Sequence, residues 1–261
     1  MKPVRAKKKL GQHFLTDLTI ARRIAETLDF QKYSNIIEIG PGMGVLTQFL
    51  VSETQSLNLV EIDSESVAYL KNTYDENQVN LIEGDFLKLD FKNTFGEEPF
   101  AIIGNFPYNI STQIVFKTLE NRDQIPFFSG MFQKEVAERI CEPPGSKKYG
   151  ILSVLTQLFY KTELLFHVPP QVFKPPPKVD SAVIRLVRKT DFHLDCDEVL
   201  LFQLVKLSFQ QRRKTLRNSL KTLNIPKMLT EDSIFDLRPE KLSGKDFVQL
   251  AKQIGHGNIS N

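Results

Sequence analysis

The sequence predicts an α/β protein, in which a mostly parallel, seven-stranded sheet covered by helices is followed by a small all-helical domain. Short apolar segments alternate with amphipathic helical segments as far as about residue 189, which is the pattern of a parallel sheet. Beyond that point only helical spacing continues. The 261 residues, of which 41% are apolar and 25% charged, suffice for one large and one small globular domain. We therefore predict domains at residues 1–189 and 190–261.

The strands of the first domain are predicted from short apolar runs. Five of these runs span residues 35–40, 57–63, 79–84, 100–104 and 127–132. Helical patterns occur at residues 16–28, 45–51, 64–72, 111–119 and 135–140. Two further strands, at 162–168 and 182–187, have no helix between them because prolines interrupt that stretch. We expect these two strands to form an antiparallel hairpin at one edge of the sheet.

The second domain is predicted from three segments with helical spacing, at residues 197–209, 214–223 and 245–254. In the last segment Phe247, Leu250, Ala251 and Ile254 recur at the spacing of one helix face. Ser243 precedes this helix and is followed three residues later by an acidic residue, as expected for an N-cap.

The composition excludes several classes of protein. No run of 18 apolar residues is present, so no transmembrane helix is expected, and the basic N-terminus lacks the apolar stretch of a secretory signal. Cys141 and Cys196 are the only cysteines and predict reduced thiols, without a disulfide framework or a metal cluster. We expect a cytoplasmic monomer that binds neither metal nor membrane. The net charge of +3 is by itself a weak sign of a nucleic-acid partner.

A glycine-rich turn follows the first predicted strand. The segment EIGPGMG at 38–44 includes Gly40 and Gly42, which allow the backbone to approach a ligand and direct amide groups at it. Glu61 lies 21 residues after Gly40, at the end of the second strand, where it could accept hydrogen bonds from both hydroxyls of a ribose. Asp85, followed by Phe86, ends the third strand, where a carboxylate could bind an adenine amino group. Because the carboxyl ends of parallel strands meet at one edge, these residues predict a pocket for S-adenosylmethionine.

The segment NFPY at 105–108 ends the fourth strand, beside that pocket. The exocyclic nitrogen of adenine is a poor nucleophile because its lone pair is delocalised into the ring. The amide oxygen of Asn105, with a main-chain carbonyl, could accept both N–H bonds and favour a pyramidal nitrogen. Pro107 stiffens the turn and Tyr108 offers an aromatic face for the base. An Asx-Pro turn with a surface tyrosine is the alternative interpretation.

Basic residues are concentrated in three segments that could bind RNA phosphates. The candidates are Lys7, Lys8, Lys9, Lys147, Lys148, Arg212, Arg213, Lys214, Arg217 and Lys221. If residues 214–223 form one helix, Arg213, Arg217 and Lys221 share a face. The alternatives are a solvated helix face and a frayed terminus. No RNA-binding module of the RRM or KH kind is recognisable, so the shape of the RNA and its assembled context must decide substrate choice.

Taken together, these motifs resemble the ribosomal RNA adenine N6,N6-dimethyltransferase family. The segments that carry the resemblance are GQHFL at 11–15, EIGPGMG at 38–44, VEID at 60–63, EGDFL at 83–87, NFPY at 105–108, QKEVAERI at 133–140 and VFKPPPKVDSAV at 172–183. FQQRRKTLRNSL at 209–220 is similar to the C-terminal domain of the bacterial small-subunit members, which confer kasugamycin sensitivity. The resemblance implies a Rossmann-like methyltransferase fold with a helical C-terminal domain that binds RNA.

The resemblance also implies roles for individual residues. Cofactor contacts carry over onto His13, Leu15, Gly40, Glu61, Asp85 and Asn105, to which the neighbouring Gly42 and Phe86 are added. Many family members have asparagine at the position of His13, so we expect that contact to involve the main chain or to tolerate the change. Phe173 corresponds to a second aromatic residue that stacks on the flipped target base opposite Tyr108, whereas its alternative is an ordinary core phenylalanine.

The function implied by the resemblance is methyl transfer from S-adenosylmethionine to N6 of two adjacent adenosines in the 3′-terminal hairpin loop of 16S rRNA. Each adenosine would be dimethylated, in an immature small (30S) ribosomal subunit. One alternative is a non-catalytic RNA-binding factor of ribosome assembly, against which the intact NFPY and glycine motifs argue. Another is a large-subunit rRNA methyltransferase that confers antibiotic resistance. A small-molecule methyltransferase is disfavoured because it would have no use for the basic segments.

Overall fold

The computed structural model describes residues 4–54 and 56–258, so the outermost residues of both predicted domains lie outside the described part. The chain divides into two compact units. Unit 1 contains the residues up to Glu138 together with Lys161–Arg188, and unit 2 contains Arg139–Tyr160 together with the residues from Lys189 onward. One of the boundaries between the units lies between Arg188 and Lys189, next to the boundary predicted at residue 189. Residues 139–160, which the sequence pattern placed with the sheet, belong to the helical unit instead.

Unit 1 contains the strands of the predicted α/β domain. The strands are β1 (Phe14–Leu15), β2 (Asn35–Ile39), β3 (Ser56–Glu61), β4 (Asn80–Glu83), β5 (Ala101–Asn105), β6 (Phe127–Gln133), β7 (Tyr160–Val168), β8 (Phe173–Lys174) and β9 (Ser181–Arg188), of which β7 starts at the last residue of unit 2. The helices are α1 (Leu18–Ala25), α2 (Thr47–Leu50), α3 (Ser64–Thr73), α4 (Phe91–Phe95), α5 (Ser111–Glu120) and α6 (Lys134–Cys141), of which α6 ends inside unit 2.

Seven of the strands form one sheet in the order β4-β3-β2-β5-β6-β9-β7. The pairs from β4 through β6 are parallel, and β9 is antiparallel to β6. This confirms the mostly parallel, seven-stranded sheet, and β9 and β7 lie side by side at one end of it, as predicted. The chain progresses outward from β2 in one direction through β3 and β4, then returns to the other side of β2 as β5. Ligands of such sheets bind beyond the carboxyl ends of the strands at this reversal point.

The sheet is held by a core of β-branched and aromatic side chains. Ile36 and Ile37 of β2 are fully buried, because a central parallel strand is covered by helices on both faces. Phe106, which follows β5, stacks on Phe128 of β6 with ring centroids 5.0 Å apart. The rigid interior fixes the ends of β2, β3 and β5, and these ends carry the predicted site.

Unit 2 is helical among its described residues, as predicted. Its helices are α7 (Ile151–Phe159), α8 (Glu198–Gln210), α9 (Leu216–Ser219), α10 (Lys227–Thr230) and α11 (Gly244–Asn258). Helices α7, α8 and α11 pack on one another, and this explains why residues 139–160 belong to this unit. Ser243 and Asp246 bond reciprocally at the start of α11, so the predicted N-cap is confirmed. Within the described part of the chain, no helix is long and apolar enough to cross a membrane.

Candidate active site and cofactor pocket

The glycine-rich turn after β2 is shaped by two backbone conformations that favour glycine. Gly40 and Gly42 have φ angles of 67° and 58°, in the left-handed region. The amide of Gly40 donates to the carbonyl of Val60 at 2.9 Å, which ties the turn to the end of β3. A Cβ atom on Gly42 would lie 2.9 Å from the ring of Phe14, so the turn tolerates no side chain there. The turn therefore packs against Phe14 and forms a cradle of bare backbone beside β3.

Glu61, the last residue of β3, organises the backbone around this cradle. Its carboxylate is 4% exposed and accepts the amides of Gly42 at 3.0 Å, Ile62 at 2.9 Å and Asp63 at 2.8 Å. Burial raises the pKa of Glu61, while the three amides oppose that shift. A carboxylate has roughly four acceptor sites, so the main chain uses most of them and leaves about one for a ligand hydroxyl. We therefore expect one ribose hydroxyl on Glu61, instead of two.

The predicted residues of the glycine turn and of the next three strand ends converge on one cavity. The predicted residues that line it are His13, Gly40, Gly42, Glu61, Asp85, Phe86, Asn105, Pro107 and Tyr108. Ile62 also lines the cavity and is 52% exposed, although a buried position would be expected for an isoleucine next to a strand. The sequence analysis missed Ile62, and its position directly after Glu61 is the signal that could have found it.

Asp85 and Phe86 follow β4 and line the same cavity. The Asp85 carboxylate accepts the amide of Leu87 at 3.0 Å and begins a short 3₁₀ turn. The ammonium of Lys117, from α5, donates to the carbonyls of Leu87 at 2.9 Å and Leu89 at 2.6 Å. Lys117 was not predicted, because no local pattern shows that a helix lysine binds a loop carbonyl. It fixes the segment that presents Asp85.

Asn105 ends β5 and lines the cavity. Its side-chain nitrogen donates to the main-chain carbonyl of His13 at 3.2 Å, which leaves the amide oxygen as the group available to a ligand. The hydroxyl of Tyr108 shares a hydrogen bond with Ser181, which is fully buried at the start of β9. Burial raises the pKa of Tyr108, so its phenol is neutral at physiological pH. Asn105 and Tyr108 are therefore both held by residues distant in sequence.

His13 lies beside this turn. Its ring stacks on Tyr108 with centroids 5.3 Å apart, and its Nδ1 atom lies 2.8 Å from the carbonyl of Pro175. The main-chain carbonyl of His13 is the group that orients Asn105. The ring therefore contacts the tyrosine and the proline-rich segment, and the main chain serves Asn105.

Leu15 and Phe173 are placed differently from the predicted cavity residues. They face each other across the two-stranded pairing of β1 with β8, each is 4% exposed, and both belong to the hydrophobic core of unit 1. Neither side chain lines the cavity. The stacking role of Phe173 and the cofactor contact of Leu15 stay predictions, and both require access that the packed core does not give.

Lys7 is not available for RNA in the way the sequence suggested. Its ammonium is paired with Asp63 and lies 3.0 Å from Glu65, and the side chain of Gln12 donates to Asp63 at 3.0 Å. Burial alone would raise the pKa of Asp63, but the hydrogen bonds from Lys7 and Gln12 lower it overall. The N-terminal arm is thus tied to the end of β3 by Lys7, whereas Lys8 and Lys9 remain exposed.

The basic segment of unit 2 does not form the predicted helix at 214–223. Helix α9 covers only Leu216–Ser219, and a separate 3₁₀ turn follows it and ends at Asn224, whose φ is 48°. Arg217 is bound to Asp236 at 2.8 Å and to the carbonyl of Thr230, and Arg212 donates to the carbonyl of Tyr149 at 3.0 Å. The predicted shared face is therefore wrong, because the helix is too short to place Arg213, Arg217 and Lys221 on one face, and Arg217 binds groups of unit 2. The remaining exposed candidates are Arg213, Lys214, Lys221, Lys147 and Lys148.

The residues of the cavity fit an adenine nucleoside. A buried carboxylate with about one acceptor site left suits a ribose hydroxyl, and Asp85 suits an amino group. The exposed side chain of Ile62 adds an apolar face to the same cavity. Gly42 lines the cavity without a side chain, which allows the backbone to approach the ligand closely.

Comparison with known proteins finds relatives along nearly the whole chain. Residues 4–252 match the protein family described as ribosomal RNA adenine dimethylase. A ribosomal RNA small subunit methyltransferase A from Flavobacterium johnsoniae is 59% identical over 254 residues, which cover 97% of each chain. The protein of the same name from Bacteroides thetaiotaomicron is 55% identical over 97% of this chain and 96% of its own length.

Solved structures show the same fold over nearly the whole chain. A dimethyladenosine transferase from Plasmodium falciparum is 27% identical, with a TM-score of 0.77 over 94% of this chain and 98% of its own. A 23S rRNA methyltransferase, ErmE, is 26% identical, with a TM-score of 0.68 over 91% of this chain and 99% of its own.

Proposed function

This chain belongs to the ribosomal RNA adenine dimethylase family, and from that premise we propose that it dimethylates N6 of two adjacent adenosines in the 3′-terminal hairpin loop of 16S rRNA. It is an S-adenosylmethionine-dependent rRNA methyltransferase. Its substrate particle is the immature small (30S) ribosomal subunit, on which it acts as a monomer. The relatives named small subunit methyltransferases, at 55–59% identity, favour the small subunit over the large one.

The orientation of Asn105 is the observation that carries this proposal. Because its amide nitrogen is engaged by the carbonyl of His13, its oxygen is left to accept an N–H bond from the N6 amino group of adenine. A main-chain carbonyl of the same turn accepts the second N–H bond. This geometry favours a pyramidal nitrogen whose lone pair is no longer delocalised into the ring. The proton lost from N6 passes to water.

The cofactor pocket positions the second reactant. When bound, S-adenosylmethionine supplies a methyl group already activated by its positively charged sulfur. Glu61 holds a ribose hydroxyl, Asp85 holds the adenine amino group, and the cradle of bare backbone at Gly42 admits the ligand close to the backbone. With both reactants held in position, orientation supplies much of the rate enhancement, and no strong general base is required.

Tyr108 provides the aromatic surface for a base that has left its helix. A stacked base hides its amino group, so the target adenosine must be extruded before reaction. The buried hydrogen bond to Ser181 and the contact with His13 hold the tyrosine ring in place. Phe173 is the predicted second stacking partner, and it must leave the hydrophobic core to serve as one.

The test of this function is methyl transfer from labelled S-adenosylmethionine to purified small subunits, large subunits and free 16S rRNA in parallel. We expect N6,N6-dimethyladenosine at two adjacent positions of the small-subunit RNA, detected by mass spectrometry of nuclease fragments. Methylation of the large subunit alone would favour the resistance activity instead. Binding to small subunits without any transfer would favour a non-catalytic assembly factor.

A further inference from the structure

A second cavity shares a wall with the cofactor cavity. The residues common to both linings are Gly11, Gln12, His13 and Tyr108. The stacked rings of His13 and Tyr108 therefore belong to the partition between the two spaces. The rest of the second lining comes from the N-terminal arm, from the end of β6 and from the proline-rich segment after β8. None of the residues proposed to hold S-adenosylmethionine lies in it except His13.

The lining of the second cavity is suited to a strand of RNA. Pro175 and Pro176 provide an apolar wall, while Lys8 and Lys178 are exposed at its edge. No carboxylate is among the lining residues, and within the described part of the chain neither lysine pairs with one. Positive charge beside flat apolar surfaces is the usual composition of single-strand binding grooves.

Gln133, the last residue of β6, adds a specific hydrogen-bonding group to this cavity. Gln133 lines the space, and its side-chain amide has no hydrogen-bond partner among the described residues. An amide offers one acceptor and two donors, which match the N6 amino group and N7 of adenine. Guanine presents two acceptors at the corresponding positions, and uracil lacks the pattern altogether. Gln133 therefore favours adenine.

We propose that the second cavity binds the nucleotide next to the target adenosine, with Gln133 binding an adenine base and Lys8 and Lys178 neutralising phosphates. This proposal rests on the proposed function, because it assumes an RNA whose target base enters the first cavity. A strand that delivers one base to Tyr108 places its neighbour close to the His13–Tyr108 partition. Enzymes that extrude a base commonly gain their sequence preference from such flanking nucleotides.

The deciding experiment measures kcat/KM on small subunits reconstituted with altered 16S rRNA. In each RNA, one of the two adjacent adenosines is kept as the target, and the other position carries adenosine, guanosine or uridine. Each position is substituted in turn, and the methylated site is located by mass spectrometry. With the wild-type protein we expect adenosine as neighbour to be preferred by roughly tenfold, the discrimination typical of one bidentate amide–adenine contact. In Gln133→Ala the preference should fall to about twofold or less.

Lysine variants test the phosphate contacts of the same cavity. Lys178→Ala should reduce the logarithmic salt dependence of subunit binding by about one unit. Lys71→Ala, which removes an exposed lysine of α3 away from either cavity, is the matched control and should leave that dependence unchanged.

Failure of this inference is distinct from failure of the proposed function. If the wild-type protein methylates the target equally well whatever its neighbour, or if Gln133→Ala keeps the full preference, the second cavity is not the neighbour's site and the methyltransferase activity still stands. If unsubstituted small subunits are not methylated at all, the proposed function itself is overturned, and this inference with it.

Discussion

Two regions of this molecule carry many sequence motifs, and the predicted side chains come together in only one of them. At the carboxyl ends of β2, β3 and β5, the predicted side chains converge on one cavity. In the basic segment of unit 2, the predicted helix is broken, and Arg212 and Arg217 bind main-chain carbonyls instead of facing a shared surface. The sequence alone predicted a function for both regions.

The difference follows from what fixes a side chain's position. Parallel strands joined by helices must end at the same edge, so the order of strands along the chain is sufficient to bring Glu61 and Asn105 together. The partner of a surface arginine is set by packing that no local pattern encodes. Convergent strand ends are therefore a stronger prediction than a run of like charges.

The largest effect is expected for Asn105→Ala, which tests the site at the strand ends. Losing the amide oxygen that orients the amino group should lower the single-turnover rate by about 10² to 10³, as is typical when one such transition-state hydrogen bond is removed. The measurement uses small subunits and saturating S-adenosylmethionine, because Asn105 also borders the cofactor pocket. Asn72→Ala, at an exposed asparagine of α3, is the control.

A fall of less than tenfold in Asn105→Ala would break the argument, since the main chain and Tyr108 would then suffice for positioning. Asn105→Asp refines the test because it keeps an acceptor but loses the donor to the carbonyl of His13. We expect its rate to lie between those of the wild type and Asn105→Ala. A wild-type rate in Asn105→Asp would show that the bond to His13 does not orient the side chain.

The next effect is expected for Glu61→Gln, which tests the other end of the same cavity. Removing the charge weakens one hydrogen bond to ribose, and such charge-assisted bonds contribute about 1.5–3 kcal/mol, so affinity for S-adenosylmethionine should fall roughly tenfold to a hundredfold. Titration calorimetry measures it, with exposed Glu53→Gln as control. Unchanged affinity in a folded Glu61→Gln protein would mean that the carboxylate serves only the backbone.

Particular residues show where prediction from sequence ended. The sheet, the glycine turn, Glu61, Asp85 and Asn105 follow from periodicity and strand ends. The partners of side chains that lie far apart in the sequence could not be predicted in this way. Ser181 binds Tyr108 from 73 residues away, and Lys7 pairs with Asp63 although it was predicted to bind RNA. The membership of residues 139–160 in unit 2 was also missed, because a buried helix such as α7 has no polar face to reveal its period.

Glu38 in the glycine motif provides a pH test of the same distinction, because it is a motif residue used inside the fold. It is 1% exposed, accepts the hydroxyl of Thr47 at 2.7 Å, and burial raises its pKa to about 8. Between pH 4.5 and 8 the carboxyl group of Glu38 is ionised in the unfolded chain but stays protonated in the folded protein. The free energy of unfolding should therefore fall as pH rises, by up to about 1.4 kcal/mol per unit from this group.

Glu38→Gln resembles the protonated side chain and should remove that contribution. Urea unfolding of both proteins at pH 5, 6, 7 and 8 should show the variant gaining stability relative to the wild type as pH rises. Parallel dependences for the two proteins would show that Glu38 is ionised in the folded state throughout, contrary to the effect of its burial.

The smallest effects are expected in the basic segment, where two neighbouring arginines separate binding from folding. Arg213 is exposed and has no partner among the described residues, so Arg213→Ala should reduce the logarithmic salt dependence of small-subunit binding by about one unit, with Tm unchanged. Arg217 is held by Asp236 and by the carbonyl of Thr230, so Arg217→Ala should lower Tm by a few degrees and leave the salt dependence unchanged. Affinity for S-adenosylmethionine, measured by calorimetry, should be the same in both variants. If Arg217→Ala lowers the salt dependence as much as Arg213→Ala does, Arg217 exchanges its bonds to Asp236 and Thr230 for a phosphate contact when the protein binds the ribosome. The charge pattern of the sequence would then predict function better than the folded partners do.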